Sequence, residues 1–194
     1  MTRIPADRFR PKSGQMRAHL FQNQHIRLAP TLFYDITIPL EPFDSGLEWE
    51  EQPVHTEFRL EFVRLPIKDW RDLDGKSFEV AQDDADGSIY LGTAHNPVDI
   101  RRIQFTRLGE TTLRIYCSLF CDFESEMIAD SVMVELATKV EFEGLMVERD
   151  IIEDDPTRSD NIRASLGNPV SLDAYQIEPQ VSEHHVWLLP NTVL

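Results

Sequence analysis

Two segments in the middle third of the chain alternate strictly between apolar and polar residues. The first places its apolar side chains at odd positions: Leu113, Ile115, Cys117, Leu119, Cys121 and Phe123. The second follows after a short polar break and uses even positions: Val132, Val134, Leu136, Thr138, Val140 and Phe142. A period of two over this length predicts half-buried antiparallel strands, with the apolar side facing a core.

Shorter alternating segments surround this pair at 31–39, 56–65, 77–80, 88–92, 170–177 and 181–189. Apolar positions change parity near Arg101 and Arg102, which predicts a β-bulge, and the step Asn96-Pro97 predicts a corner. No alternation of strands and helices is visible. The chain is therefore predicted to be mostly β, an antiparallel β-sandwich or flattened barrel of about 7–9 strands with few or no helices.

The charge divides the chain into two parts. Residues 1–30 carry six basic residues and one acid, whereas the other 164 residues carry 13 basic and 33 acidic side chains, a net charge of −20. Residues 1–28 lack a long apolar run and are predicted to be a basic, mobile N-terminal arm. Residues 29–194 are predicted to form a single acidic β domain with a long polar loop at 153–169, in which 159–166 could form a short helical turn.

The acidity of the body restricts the partners of the chain. Nucleic acids and anionic lipid surfaces bind clustered Lys and Arg, so neither is expected to bind the body. A basic protein is the partner that complementary charge favours, although acidity also serves solubility. No signal sequence and no 18-residue apolar stretch are found, which predicts a cytoplasmic protein. Cys117 and Cys121 lie four apart on one strand face, too far to form a disulfide, and are predicted to be core residues.

Aromatic residues among charges mark a candidate binding surface. Such residues are typical of protein-binding hot spots, and they also occur as lids over the open ends of β-sandwiches. The residues selected on this basis, together with a pair of acids at the end of a long strand, are Trp49, Glu48, Glu50, Glu51, Trp70, Asp122 and Glu124.

Candidate chemistry is weak by comparison. The acidic turn around Asp84 and Asp86 resembles the start of a calcium loop, but the first and last ligand positions hold Gln82 and Thr93. Asp122 and Glu124 could supply the paired carboxylates of a glycoside hydrolase. No set of catalytic residues is assigned, and no cofactor is expected apart from a divalent cation at Asp84 and Asp86.

Three classes of function follow. The favoured one is an acidic protein-binding module; in size, charge and β-pattern the chain resembles small acidic partner proteins of bacteria, such as the immunity proteins that neutralise toxins. That resemblance implies an inhibitor-type partner of a basic protein. The alternatives are a metal-dependent or carboxylate-based hydrolase, and a structural subunit whose basic arm threads a neighbouring subunit.

Overall fold

The computed structural model describes residues 2–167 and 169–192, in which ten strands form one sheet. The strands are β1 (Gly14–Asn23), β2 (Leu28–Pro39), β3 (Glu57–Val63), β4 (Ser77–Glu79), β5 (Asp86–Leu91), β6 (Ala94–Arg107), β7 (Thr112–Cys121), β8 (Val132–Glu148), β9 (Gln180–Val181) and β10 (His185–Leu188). One α-helix, α1 (Ser159–Leu166), is present in this part of the chain. The described residues include no helix long and apolar enough to cross a membrane.

The sheet closes on itself. Strands follow the order β1-β2-β3-β5-β6-β7-β8, and β1 also pairs with β8. The β1–β8 pair is parallel, whereas the other pairs are antiparallel. Beyond β8 the sheet continues into β10 and β9, and β4 lies against β6. The predicted mostly β class, an antiparallel β-sandwich or flattened barrel, is confirmed. The strand number exceeds the prediction because β1 lies in the segment predicted to be an arm, and because the segment predicted as one strand at 181–189 contributes to both β9 and β10.

The two alternating rows form the centre of the barrel. Leu113, Ile115, Cys117, Leu119 and Cys121 of β7 are fully buried, and the row of β8 faces the same core. Burial raises the pKa of the Cys117 thiol to about 12, and both cysteines are free. Their predicted role as small core residues is confirmed.

The β-bulge predicted from the sequence is present in β6, whereas the predicted corner is not. The register of β6 against β7 shifts between Ile100 and Arg102, as the parity change predicted. The prediction of a corner at Asn96-Pro97 is wrong, because both residues lie within β6. The chain instead reverses at Gly92 and Thr93, whose φ angles of 62° and 67° suit a tight turn between antiparallel strands.

The N-terminal segment is part of the barrel, not the predicted mobile arm. Residues 14–23 form β1, which lies between β2 and β8 and buries Met16 and Leu20. Ile4 and Phe9 are also buried. The arm prediction rested on the basic charge of this segment and on its lack of a long apolar run, but the alternation of buried Met16, Ala18 and Leu20 is that of a half-buried strand.

The end of the barrel at Arg107 and Phe142 is covered by segments that the sequence left irregular. Ile162 and Leu166 of α1 are fully buried, so 153–169 contains a packed helix and is not wholly a loop. The predicted strand at 170–177 is replaced by a short 3₁₀ turn followed by a single bridge from Tyr175 to Pro190.

Candidate functional site

Three connections meet at the other end of the barrel, which we call the acidic end. They are the loop 43–54, the loop 122–131 and the turn at Gly92-Thr93. The amide of Gly92 donates a hydrogen bond to Oε1 of Glu50 (2.8 Å). A Cβ placed on Gly92 would lie 2.8 Å from Ile128 Cγ2 and 3.3 Å from Leu47 Cδ1, so all three connections are in close contact.

Aromatic packing supports the acidic end from inside the barrel. The ring of Phe9 lies 5.3 Å from Phe43 in an edge-on arrangement, and 6.0 Å from Phe123 in a stacked one. Leu47 is buried beside Gly92. Each loop therefore places at least one apolar side chain inward, and these side chains anchor the loops to the core.

A hydrogen-bond network holds the shape of the loop 43–54. The side-chain amide of Gln52 donates to Oγ of Ser45 (2.7 Å) and to the carbonyl oxygen of Glu50 (3.2 Å), and its Oε1 accepts from the amide of Ser45 (3.0 Å). The hydroxyl of Ser45, which is nearly buried, donates to Oε2 of Glu50 (3.0 Å). Because Glu50 also binds Gly92, the loop is fixed to the neighbouring turn.

The loop 122–131 is held in a similar way. Oδ1 of Asp122 accepts from the amide of Ser125 and the hydroxyl of Ser131, both at 3.1 Å. Oε1 of Glu124 accepts from the amide of Ser131 (3.3 Å). Asp122 is half-buried and orders the loop, whereas Glu124, Glu126 and Met127 are exposed.

The surface that results is acidic and carries two exposed apolar side chains. Trp49 is 60% exposed and Met127 is 79% exposed. The two loops contain no Lys or Arg, and their carboxylates are Asp44, Glu48, Glu50, Glu51, Asp122, Glu124, Glu126 and Asp130. Arg8 and Arg10 of the N-terminal segment line a groove with Phe43 and Asp44 at the edge of this surface.

The structure brings six of the seven predicted surface residues to this one end. Trp70 is the exception, and its assignment to an exposed surface is wrong. It is fully buried, its ring stacks on Phe142 at 4.5 Å, and its Nε1 donates to the carbonyl oxygen of Ala174 (3.2 Å). Trp70 is thus a lid over the opposite end of the barrel, the second interpretation that its sequence allowed.

In the described part of the chain, the candidate metal ligands Asp84 and Asp86 do not lie in a cluster of three or more ligand side chains. Oδ1 of Asp84 faces Arg64 at 3.9 Å, and Asp86 is exposed at the start of β5. Within residues 2–167 and 169–192, no three His, Cys, Asp or Glu side chains are placed to hold a metal ion.

Asp35 is a buried acid on the outer side of the sheet that contacts Arg17 and His19, and the sequence analysis did not identify it. Oδ2 of Asp35 lies 3.4 Å from Nδ1 of His19 and 3.1 Å from Nε of Arg17, and Oδ1 accepts from the amide of Phe62 (3.0 Å). Burial alone would raise the pKa of Asp35, but His19, the amide and Arg17 outweigh it and hold this pKa below its ordinary value. An acid at an outward position of β2, opposite Arg17 in β1, was the available signal.

The pKa values of three other carboxyl groups are also lowered. Hydrogen bonds from Ser118 and Tyr116 lower the pKa of Glu135, and the pKa values of Asp69 and Asp155 are also lowered. A general acid in glycoside hydrolysis needs a raised pKa. These carboxylates therefore lend no support to the hydrolase alternative.

Comparison with known proteins gives no relative for this chain: no family model matches it, and no curated protein or solved structure is significantly similar.

Proposed function

We propose that the chain is a protein-binding module that binds a basic partner protein through the acidic end. The observation that carries this proposal is the combination of eight carboxylates in two loops that themselves contain no Lys or Arg, with an exposed Trp49 on the first of these loops. Charge of one sign attracts and orients a basic partner during encounter, and a central aromatic side chain supplies binding free energy when it is desolvated.

The order within the loops favours binding of this kind. A loop that is already held by Gln52, Ser45 and Glu50 loses little conformational entropy when a partner binds. The exposed carboxylates and Trp49 then act as a fixed template. A structural subunit with a threading arm is less well supported, because the segment expected to thread a neighbour is β1 of the barrel itself.

The experiment compares two triple variants with equal changes of charge. In the first, Glu48, Glu51 and Glu126 at the acidic end become Gln; in the second, the exposed Glu79, Glu110 and Glu178 elsewhere become Gln. Each protein carries a photo-reactive residue in place of Met127, which is 79% exposed at the acidic end, so that Trp49 is retained, and each is mixed with lysate of the source organism. A basic protein that cross-links to the unaltered acidic end and to the second variant, but at least about tenfold less to the first, supports the proposal.

Salt provides a second arm of the same experiment. The screening length falls from about 10 Å at 0.1 M to about 3 Å at 1 M ionic strength, so the cross-linked yield should fall steeply over this range. A partner captured equally by both variants, or equally at both ionic strengths, would overturn the proposal, as would the failure of any basic protein to cross-link.

A further inference from the structure

A groove of about 560 Å³ lies on the outer face of the barrel beside the acidic end. The alternation of β3, β5 and β6 turns its lining outward, because the intervening residues Phe58, Ile89 and Leu91 are buried in the core. Strand register places Arg59 opposite Ser88, and Tyr90 opposite His95. The side chains that would meet a ligand are Lys12, His55, Arg59, Ser88, Tyr90 and His95.

The groove reverses the charge of its surroundings. The chain has a net charge of −15 and only four Lys, yet this groove collects one Lys, one Arg and two His. Its single acid is Glu57, whose Oε1 accepts from Nε of Arg59 at 2.8 Å. This bond orients the guanidinium group along β3, and Lys12 has no counter-charge in the lining.

Several donors in the groove have no partner within the described part of the chain. The ammonium of Lys12, the imidazoles of His55 and His95, and the hydroxyls of Ser88 and Tyr90 make no hydrogen bond or ion pair there. They are partly exposed and therefore hydrated in the free protein. A ligand with several acceptor oxygens could replace that water at many points at once.

Tyr90 adds a flat surface. Its side chain is 50% exposed, and its ring meets His95 edge-on at 5.0 Å, which fixes the ring orientation. A second depression of about 440 Å³ shares His55 and Tyr90 with the groove and extends it toward Thr93. Tyr90 and His55 line both depressions; the first also holds Lys12 and Arg59, and the second also holds Glu50 and Glu51.

We propose that this groove binds a small phosphate monoester with a planar ring, the chemistry of a nucleoside monophosphate. The phosphate group lies among Lys12, Arg59 and the two imidazoles, and the ring stacks on Tyr90. A phosphate carries more charge and one more acceptor oxygen than a carboxylate, which matches the excess of donors. Stacking on an aromatic side chain accepts any planar base. This site does not depend on the protein-binding role of the acidic end.

The test uses the full chain alone, with inorganic phosphate, adenosine monophosphate and adenosine as probes. NMR signals of the histidine rings are followed during each titration. Phosphate-bearing probes should shift the signals of His55 and His95, because the bound phosphate group would lie beside both rings. The signals of His25 and His184, which lie in turns elsewhere, should not move.

Variants separate the cationic side chains of the groove from Tyr90. Lys12→Gln should weaken binding of both phosphate-bearing probes about tenfold or more, while Lys76→Gln, an equal change of charge at an exposed distant position, should leave it unchanged. Tyr90→Leu should weaken adenosine monophosphate binding several-fold and leave inorganic phosphate binding unchanged.

Three results would overturn the proposal. The first is the absence of any His55 or His95 shift with millimolar phosphate or adenosine monophosphate. The second is equal weakening by Lys12→Gln and Lys76→Gln, which would indicate a general effect of charge. The third is binding of adenosine as tightly as adenosine monophosphate, which would remove the role of the phosphate group.

Discussion

Replacing Trp70 by Ala tests the most direct conflict between the local sequence and the folded barrel. Its neighbours Asp69 and Arg71 are charged, and they bind each other at 2.6 Å on the surface while the indole between them points inward. The ring is fully buried, stacks on Phe142 and donates a hydrogen bond to Ala174. Truncation therefore removes a large buried side chain from a site where three kinds of contact coincide.

The expected cost is large for a single substitution. Buried Trp→Ala changes reduce the free energy of unfolding by about 3–5 kcal/mol, of which the ring stack accounts for about 0.5–1.5 kcal/mol and the hydrogen bond for about 0.5–1.5 kcal/mol. For a chain of this size, we expect the melting temperature to fall by about 10 °C or more. Trp70→Phe keeps a stacked ring but loses the donor to Ala174, and we expect it to cost about 1–2 kcal/mol.

Urea denaturation followed by circular dichroism measures both variants, and Trp49→Ala is the matched control. Trp49 is 60% exposed, so its removal should change the free energy of unfolding by no more than about 0.5 kcal/mol. If Trp70→Ala does not fold, the Trp70→Phe value still tests the reasoning. A loss below about 0.5 kcal/mol for Trp70→Phe, or equal losses for Trp49→Ala and Trp70→Ala, would refute the buried placement.

Three further predictions concern the barrel. Because the pKa of Asp35 is lowered in the folded protein, the carboxylate stabilises the fold above its unfolded pKa of about 3.9, and this stabilisation is lost as pH falls through the folded pKa. Asp35→Asn should therefore flatten the fall of the melting temperature between about pH 5 and pH 2. An unchanged profile would contradict this. Burial and the raised pKa of Cys117 should make both thiols react with iodoacetamide only after unfolding, so rapid labelling of the native protein at pH 8 would count against the core placement. Gly144→Ala should lower the free energy of unfolding, measured by urea denaturation, by more than about 2 kcal/mol. The reason is that φ of Gly144 is +130° and an added Cβ would lie 2.4 Å from the carbonyl oxygen of Leu188. A neutral effect would show that β10 can move away.

The sequence predicted the centre of the fold because that part obeys one rule throughout. Every odd position from Leu113 to Cys121 is apolar and buried, and the parity change near Arg101 coincides with the observed bulge. The N-terminal strand was missed although Met16, Ala18 and Leu20 alternate in the same way. Its outward positions hold Arg17 and His19, and their basic charge suggested an arm, whereas they contact Asp35 of the neighbouring strand.

The candidate surface was predictable to the extent that its residues lie in two loops. Trp49 with its flanking acids, and Asp122 with Glu124, are each visible as local clusters. The two loops come together at Gly92, which binds Glu50 and lies against Ile128. No local pattern distinguished the exposed Trp49 from the buried Trp70, because both stand among charges.

The groove was not predictable from local sequence. Its lining comes from four separate segments of the chain, and strand register alone places Tyr90 beside His95 and Arg59 beside Ser88. Register depends on tertiary packing as well as on local pattern, so a reading of one segment at a time cannot recover the combination.

The parallel pairing of β1 with β8 also determines when the protein can fold during its synthesis. Val140, the partner of Gly14, follows it by 126 residues, so β1 cannot gain its second neighbour until most of the chain has left the ribosome. At about 5–20 residues per second, that delay is roughly 6–25 s. During this interval β8 is not available to β1, so a hairpin of β1 and β2 would leave Met16 and Leu20 without the neighbour that covers them in the barrel. Closure of the barrel is therefore a late event that depends on contacts distant in sequence, and apolar surface left uncovered until then favours aggregation.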